Sequence, residues 1–321
     1  MSVPSLNSFL EYRPWRGLRN PVWMGAFAIT RESLKLIFTR KVFWVVFSLA
    51  VLNFLLYFFG QYLFFWVADQ QPDGLVRVGG FGRANQNDML QFLRSVLKMD
   101  GSPETFRNFI NLQSRGIIVL LVLAGASLLG EDLNQGSLIF YQSKSGGMSN
   151  YIGGKFLAAS FLVHLFATIP ALFLFLEICF IDTWTYLLYH PRLLLGIIGY
   201  GFVINLGLVS LLFATVGFFR STIGLIMCWA GVFFLLPSLC AIMIDRLKLN
   251  PAFRVLDFWY CVERLGEKCL GASPTLHPSQ TDHSLNPWLA AASLSFVFMV
   301  SSILTIRIYF KKAWNHDGGF S

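Results

Sequence analysis

Six apolar runs of about twenty residues each constrain this chain more than any other feature. A helix needs about 20 residues, at a rise of 1.5 Å each, to cross a hydrocarbon core of about 30 Å. The composition agrees, because 55% of the 321 residues are hydrophobic and 13% are charged, whereas a soluble domain carries about 25% charged residues. We therefore predict an all-α membrane protein. Its six-span domain would cover 42–310, with spans at 42–67, 109–130, 156–181, 193–218, 222–244 and 288–310.

Two of these spans depend on further argument. The apolar part of the second span, 116–130, would reach only about 22 Å as a helix. It must recruit flanking residues or lie inside the bundle. The apolar stretch 193–244 is too long for one crossing, and Arg220 is expected to mark a tight turn at the membrane face.

Basic residues before the first span predict the orientation. Cytoplasmic segments next to a span are enriched in Lys and Arg, and such residues precede this span at Arg13, Arg16, Arg19, Arg31, Lys35, Arg40 and Lys41. The apolar run is longer than the 7–15 residues of a signal-peptide core. We expect a plasma-membrane protein of the bacterial inner-membrane kind. The cytoplasmic parts would then be the two termini, 1–41 and 311–321, and the connector 131–155. The two long loops, 68–108 and 245–287, would lie on the outer side.

The segment 22–41 has its own helical pattern. Trp23, Phe27, Leu34 and Ile37 recur at helical spacing, while the charged residues fall mostly elsewhere. This pattern is typical of an amphipathic elbow helix lying in the membrane interface. The alternative is a simple extension of the first span.

Few ionisable residues lie inside the predicted spans, where they usually mark an ion path or a catalytic site. We identified His164 and Glu177 on the third span and Arg307 near the end of the sixth. A lone intramembrane histidine is more often hydrogen-bonded than a ligand, and Glu177 is near enough to the outer end to reach water. No proton relay, catalytic constellation or metal cluster is evident, so we predict neither an enzyme nor a metal or cofactor site.

Other residues admit weaker interpretations. The basic residues lie beside apolar runs, which argues against nucleic-acid binding. His277, Asp282 and His283 are read as loop residues rather than metal ligands. Cys261 and Cys269 could form a disulfide in an oxidising compartment. On one continuous helix their eight-residue separation would be about 12 Å, so a bridge would require Gly266 to break the helix.

The connector 131–155 contains a near match to a phosphate-binding loop. Gly154-Lys155 is followed by Phe156, and Ser149 stands where the first glycine belongs, so the features that hold nucleotide phosphates are absent. If ATP drives this protein, another polypeptide binds it. The glycines around 146–147 and 153–154 would permit tight turns beside a short helix at about 133–142, although a plain solvated loop is the alternative.

The elbow, the six spans and the connector together resemble the membrane subunits of ATP-binding-cassette exporters of the type-2 permease class. The connector has the family's order of an acidic residue at Glu131-Asp132, then Gly136-Ser137-Leu138, then the Gly-Lys pair. It differs at 143–147, where family members often have proline and a basic residue.

The resemblance implies that the connector is a coupling helix seated on a separate ATPase subunit, which binds ATP and Mg²⁺. The implied ATPase contacts are Glu131, Asp132, Gly136, Ser137, Leu138 and Tyr141, with a hinge into the third span at Gly153, Gly154 and Lys155. A second permease chain and the lipid bilayer complete the implied partners. The alternative function is a membrane anchor or sensor that transports nothing and recruits a cytoplasmic protein.

Overall fold

A computed structural model of the chain describes residues 21, 23–69, 75–77, 83–85, 90–132, 141, 147–181, 185–219, 221–274 and 285–314. Six of its helices are long and apolar enough to cross a membrane. They are α2 (Lys41–Ala68), α3 (Pro103–Gly130), α4 (Gly147–Ile181), α6 (Pro191–Phe218), α7 (Thr222–Arg246) and α9 (Pro287–Trp314). The prediction of six membrane-crossing helices is confirmed, although the second and third begin before the predicted 109 and 156.

The remaining elements are short. Helix α1 (Trp23–Phe38) is a separate helix, because Thr39 and Arg40 interrupt the path to α2. Strands β1 (Leu75–Arg77) and β2 (Arg83–Asn85) pair antiparallel in the first long loop. Helix α5 (Thr185–Tyr189) precedes α6, and a 3₁₀ turn (Pro251–Leu256) leads into α8 (Phe258–Leu270) in the second long loop.

Helix α3 is packed inside the bundle. Of its most apolar window, 62% is buried, against 22% for α2 and 17% each for α7 and α9. The ring of Phe109 contacts that of Tyr57 on α2 at 5.3 Å, and Gln113 donates to the carbonyl oxygen of Ala50 at 3.0 Å. The apolar part of α3 is too short to cross a membrane by itself. As expected, the helix extends into the flanking residues and is buried inside the bundle.

The helices run alternately between two ends of the bundle. We call one end the connector end; there lie Lys41, Gly130, Gly147, Phe218 and Thr222. We call the other the loop end; there lie Ala68, Pro103, Ile181, Pro191, Arg246 and Pro287. Between α6 and α7 the chain turns within three residues, where Ser221 accepts a hydrogen bond from the Gly224 amide at 3.2 Å. Arg220 itself lies outside the described residues.

Helix α8 does not permit the disulfide that was considered possible between Cys261 and Cys269. Asp257 caps its start by accepting from the Tyr260 amide at 3.0 Å, and the helix continues to Leu270 without a break at Gly266. Cys261 and Cys269 are free thiols, separated by about 12 Å of helix. Gly266 instead permits close packing, because a Cβ there would overlap the ring of Tyr200 on α6.

Candidate functional site

A partly buried ion pair joins the connector to the third membrane-crossing helix. The Lys155 Nζ lies 2.9 Å from Oδ2 of Asp132, and the Tyr151 hydroxyl donates to the same oxygen at 2.9 Å. Tyr151 and Lys155 are four residues apart, so both lie on one face of α4. Lys155 is only 9% exposed and Tyr151 is fully buried. Asp132 therefore neutralises a buried lysine and ties the residues that follow α3 to α4.

Tyr141 brings a later part of the connector to the same place. Its ring lies 4.8 Å from the ring of Tyr151. Partial burial raises the pKa of Tyr141 above 10, and the nearby carboxylate of Asp132 raises it further. We call Asp132, Tyr141, Tyr151 and Lys155 the connector cluster.

Helix α1 packs directly on α4 beside the connector cluster. A Cβ at position 154 would lie 2.6 Å from the carbonyl oxygen of Ala26 and 2.8 Å from Cβ of Ile29. The Thr30 hydroxyl lies 3.0 Å from the Gly154 carbonyl oxygen and 2.9 Å from that of Ala26. Only glycine at position 154 allows the two helices to approach this closely.

A cavity of about 340 Å³ lies between part of α1 and the connector cluster. It is lined by Ala28, Ile29, Glu32, Ser33, Leu36, Leu128, Glu131, Asp132, Tyr141 and Lys155. Beside it, Arg40 lies 3.5 Å from Glu131, with both side chains about half exposed at 55% and 52%. Such an exposed pair adds little to stability. The less exposed contacts of Asp132 and Gly154 therefore contribute more than this pair to holding α4 against its neighbours.

The predicted site residues are only partly brought together. Glu131, Asp132, Tyr141 and Lys155 all line the cavity, whereas Gly136, Ser137 and Leu138 lie outside the described residues. The predicted hinge at Gly153 and Gly154 needs correction, because both glycines lie within α4, which starts at Gly147. Gly154 provides close packing instead of a turn, and Gly147, with φ of 46°, occupies the left-handed conformation at the helix start.

A second buried charge network lies at the loop end. Glu267 of α8 accepts from two arginines, with its Oε1 3.5 Å from Arg107 Nη1 and its Oε2 2.9 Å from Arg264 Nη1. These three side chains are 3%, 8% and 11% exposed, respectively. Arg107 also donates to the Ser273 carbonyl oxygen at 2.6 Å. The network fixes α8 to α3.

A neighbouring set of polar groups fixes α8 to α6 as well. Asn111 of α3 donates to Oε1 of Glu263 at 2.5 Å and accepts a short hydrogen bond from the Tyr200 hydroxyl. The segment was predicted to be an outer loop, and neither network was predicted from the sequence. The available signal was the spacing of Glu263, Arg264 and Glu267, which places all three on neighbouring turns of one helix.

The two ionisable residues predicted within the third span have different outcomes. His164 Nδ1 lies 2.9 Å from the Thr168 hydroxyl, as expected for a hydrogen-bonded interior residue. Glu177 was expected to reach water near the outer end of the span, but this prediction is wrong, because the residue is only 7% exposed. Neither of its carboxylate oxygens has a hydrogen-bond partner within the described chain. The two lie at different depths, thirteen residues apart on α4.

Neither a metal cluster nor a known relative identifies the site. Within the described ranges, no group of three His, Cys, Asp or Glu side chains could hold a metal ion. His277, Asp282 and His283 fall outside those ranges. No protein-family model and no curated protein sequence matches this chain.

Proposed function

We propose that this protein is the membrane subunit of an ATP-driven exporter of the ATP-binding-cassette type. Two such chains, or this chain and a homologue, would pair with two ATPase subunits that bind ATP and Mg²⁺. The connector end would face the cytoplasm of a cell whose plasma membrane the six helices span. The substrate would move toward the loop end when ATP binding drives the ATPases together.

The observation that carries the proposal is the attachment of Asp132 to Lys155 and Tyr151 by two contacts of 2.9 Å. A hydrogen bond between ionised partners is about twice as strong as one between neutral groups, and the side chains of Lys155 and Asp132 are only 11% and 22% exposed. Force applied to the connector would therefore reach α4 directly rather than dissipate in a loose loop. The sequence carries no phosphate-binding loop of its own, so the force would come from a partner.

Helix α1, which corresponds to the predicted elbow helix, supports the same mechanism. Its contact with Gly154 joins it to α4, and only Thr39 and Arg40 separate it from α2. Displacement of the connector cluster would shift α4 and α1 together, and α1 would pull on the start of α2. Two membrane-crossing helices would then respond to one push.

The experiment is purification of the tagged full-length chain from its native host in a mild detergent. Mass spectrometry would identify bound proteins, and the ATP hydrolysis rate of the purified complex would be measured. Asp132→Asn removes the negative charge that pairs with Lys155. Asp69→Asn is the matched control, because Asp69 is an exposed carboxylate that follows α2 at the loop end, away from the connector cluster.

We expect an ATP-binding-cassette ATPase to accompany the wild-type chain. Asp132→Asn should reduce ATPase retention or the hydrolysis rate, whereas Asp69→Asn should change neither. The proposal is wrong if no such ATPase binds. The coupling role of Asp132 is wrong if its variant retains full complex formation and hydrolysis.

A further inference from the structure

The third membrane-crossing helix carries a buried glutamate that has no partner in the described chain. Glu177 lies four residues before the end of α4 and is 7% exposed. Both of its carboxylate oxygens are shielded from solvent and neither forms a hydrogen bond. An ionised carboxylate in such a place is costly, because neither water nor a cation offsets the loss of its hydration. A group of this kind takes up a proton instead.

On the connector side of Glu177, the packing of α4 against α2 is apolar. Side chains on a helix lean toward its N-terminus, which for α4 is the connector end. In that direction Pro170 and Phe173 lie on the same face as Glu177, at spacings of three and four residues, and line an apolar cavity of about 270 Å³ between α2 and α4. Among its described lining residues, only Gln113 has a polar side chain, and its amide donates to the Ala50 carbonyl oxygen at 3.0 Å.

On the other side, two segments of the loop end close over the last turns of α4. A Cβ at Gly101 would lie 2.8 Å from Cδ1 of Ile178, so the loop before α3 packs directly on the helix. The ring of Tyr186 on α5 lies 5.6 Å from that of Phe175. The Tyr186 hydroxyl donates to the Gly101 carbonyl oxygen at 3.4 Å. The loop and α5 are thus joined to each other over the end of α4.

No ionisable side chain of the neighbouring elements bonds to Glu177 within the part of the chain that the structure describes. Arg107 of α3 pairs with Glu267 at 3.5 Å, and Asp100 of the preceding loop pairs with Arg94 at 3.4 Å. The other ionisable groups of the elements that pack against this half of α4, and of α4 itself there, are Tyr57, Tyr62, Asp69, Lys98, Glu104, Arg115, Cys179, Tyr186, Tyr189, His190, Arg192 and Tyr200.

We propose that Glu177 is a proton-binding site, neutral at pH 7 while the loop end is closed. Opening of this end of α4 to water would release the proton, because an exposed glutamate ionises above about pH 4.3. The closed form then holds one proton that the open form has lost, so a rise in pH favours the open form. The gain is up to about tenfold per pH unit and ends where the closed form itself ionises. This inference concerns the loop end and does not depend on the proposed function.

The first test is infrared spectroscopy of the purified full-length chain at pH 7 in dodecyl maltoside, a detergent without a carbonyl group. A neutral carboxylic acid and a carboxylate absorb at different frequencies, so the difference between the wild type and Glu177→Gln reports the state of this one residue. We expect the band of a neutral acid in the wild type and its loss in Glu177→Gln.

Glu32→Gln is the matched control, because Glu32 is an exposed glutamate on α1. Its replacement should remove carboxylate bands and leave the neutral-acid band unchanged. The inference is overturned if the wild type shows no neutral-acid band, or if Glu177→Gln loses carboxylate bands instead.

The second test measures the opening by hydrogen exchange of the amides of residues 174–181, followed by mass spectrometry. Comparing the wild type with Glu177→Gln at each pH cancels the pH dependence of the chemical exchange step. The ratio of their opening constants should rise with pH above about 5, by up to about tenfold per unit, and then level off. Glu177→Asp should retain the rise. A ratio that stays constant from pH 5 to 9 would overturn the link between the proton and opening, since a glutamate with a purely structural role gives no such dependence.

Discussion

Replacing Gly154 by alanine should loosen α1 from α4. The new methyl carbon would lie 2.6 Å from the Ala26 carbonyl oxygen and 2.8 Å from Ile29. The first contact is with backbone and the second with a branched carbon, so neither group can move aside easily. Overpacking of this kind costs about 1–3 kcal/mol.

The adjacent glycine provides a matched control. A Cβ at Gly153 would meet nothing within 4 Å. Both glycines lie inside the same helix, so each alanine gains about 0.5–1 kcal/mol of helix propensity. The difference between the two variants therefore isolates the clash with α1.

Hydrogen exchange of α1 amides, followed by mass spectrometry in detergent, measures the effect. Once released, a 16-residue helix is marginal by itself and exchanges readily. A clash of about 1–3 kcal/mol should make α1 of Gly154→Ala exchange about 5- to 150-fold faster than α1 of Gly153→Ala. Equal exchange in the two variants would refute the close packing of α1 on α4.

Three further outcomes follow from the geometry. Glu267→Leu leaves Arg107 buried without its carboxylate, so the free energy of unfolding in mixed micelles should fall by about 3–5 kcal/mol; a loss below about 1 kcal/mol would contradict the network. Burial raises the pKa of both thiols, that of Cys261 to about 11, and Cys261 is fully buried whereas Cys269 is partly exposed. Maleimide should therefore label the partly exposed Cys269 before Cys261 without any reductant, as peptide mass spectrometry would show, whereas a requirement for reductant would contradict free thiols. Arg40→Ala should change the unfolding free energy by no more than about 1 kcal/mol in the same micelles, because its ion pair is exposed; a larger loss would contradict that weak role.

The membrane-crossing helices were predictable from sequence because hydrophobic length is a local property. The prediction that 116–130 must recruit flanking residues or lie inside the bundle also followed from length alone.

The tertiary contacts of the site could not be predicted in the same way. Asp132 and Lys155 were each singled out, but their pairing depends on how the chain returns between α3 and α4. The two glycines at 153–154 suggested a turn from local propensity. In the structure both glycines lie within α4. Gly154 allows close packing of α1 on this helix instead of forming a turn.

The α8 networks show the same limit. The charges at 263–267 predict only a polar segment, and burial of that segment against α3 and α6 depends on Arg107, Asn111 and Tyr200, all distant in sequence. The two glutamates and one arginine of this segment can be buried once Arg107 of α3 supplies the second positive charge. Sequence alone gives no distance between such partners.

The most direct test of the account is site-specific photo-crosslinking in the native membrane. A benzophenone side chain at Glu131, whose side chain is 52% exposed beside the connector cluster, should form an adduct with an ATP-binding-cassette ATPase. The same probe at Tyr189, which is 79% exposed at the loop end, should not. Two results would contradict the proposal that the connector receives force from ATP hydrolysis. One is an ATPase adduct from position 189, and the other is an adduct from position 131 that forms only with a protein other than such an ATPase.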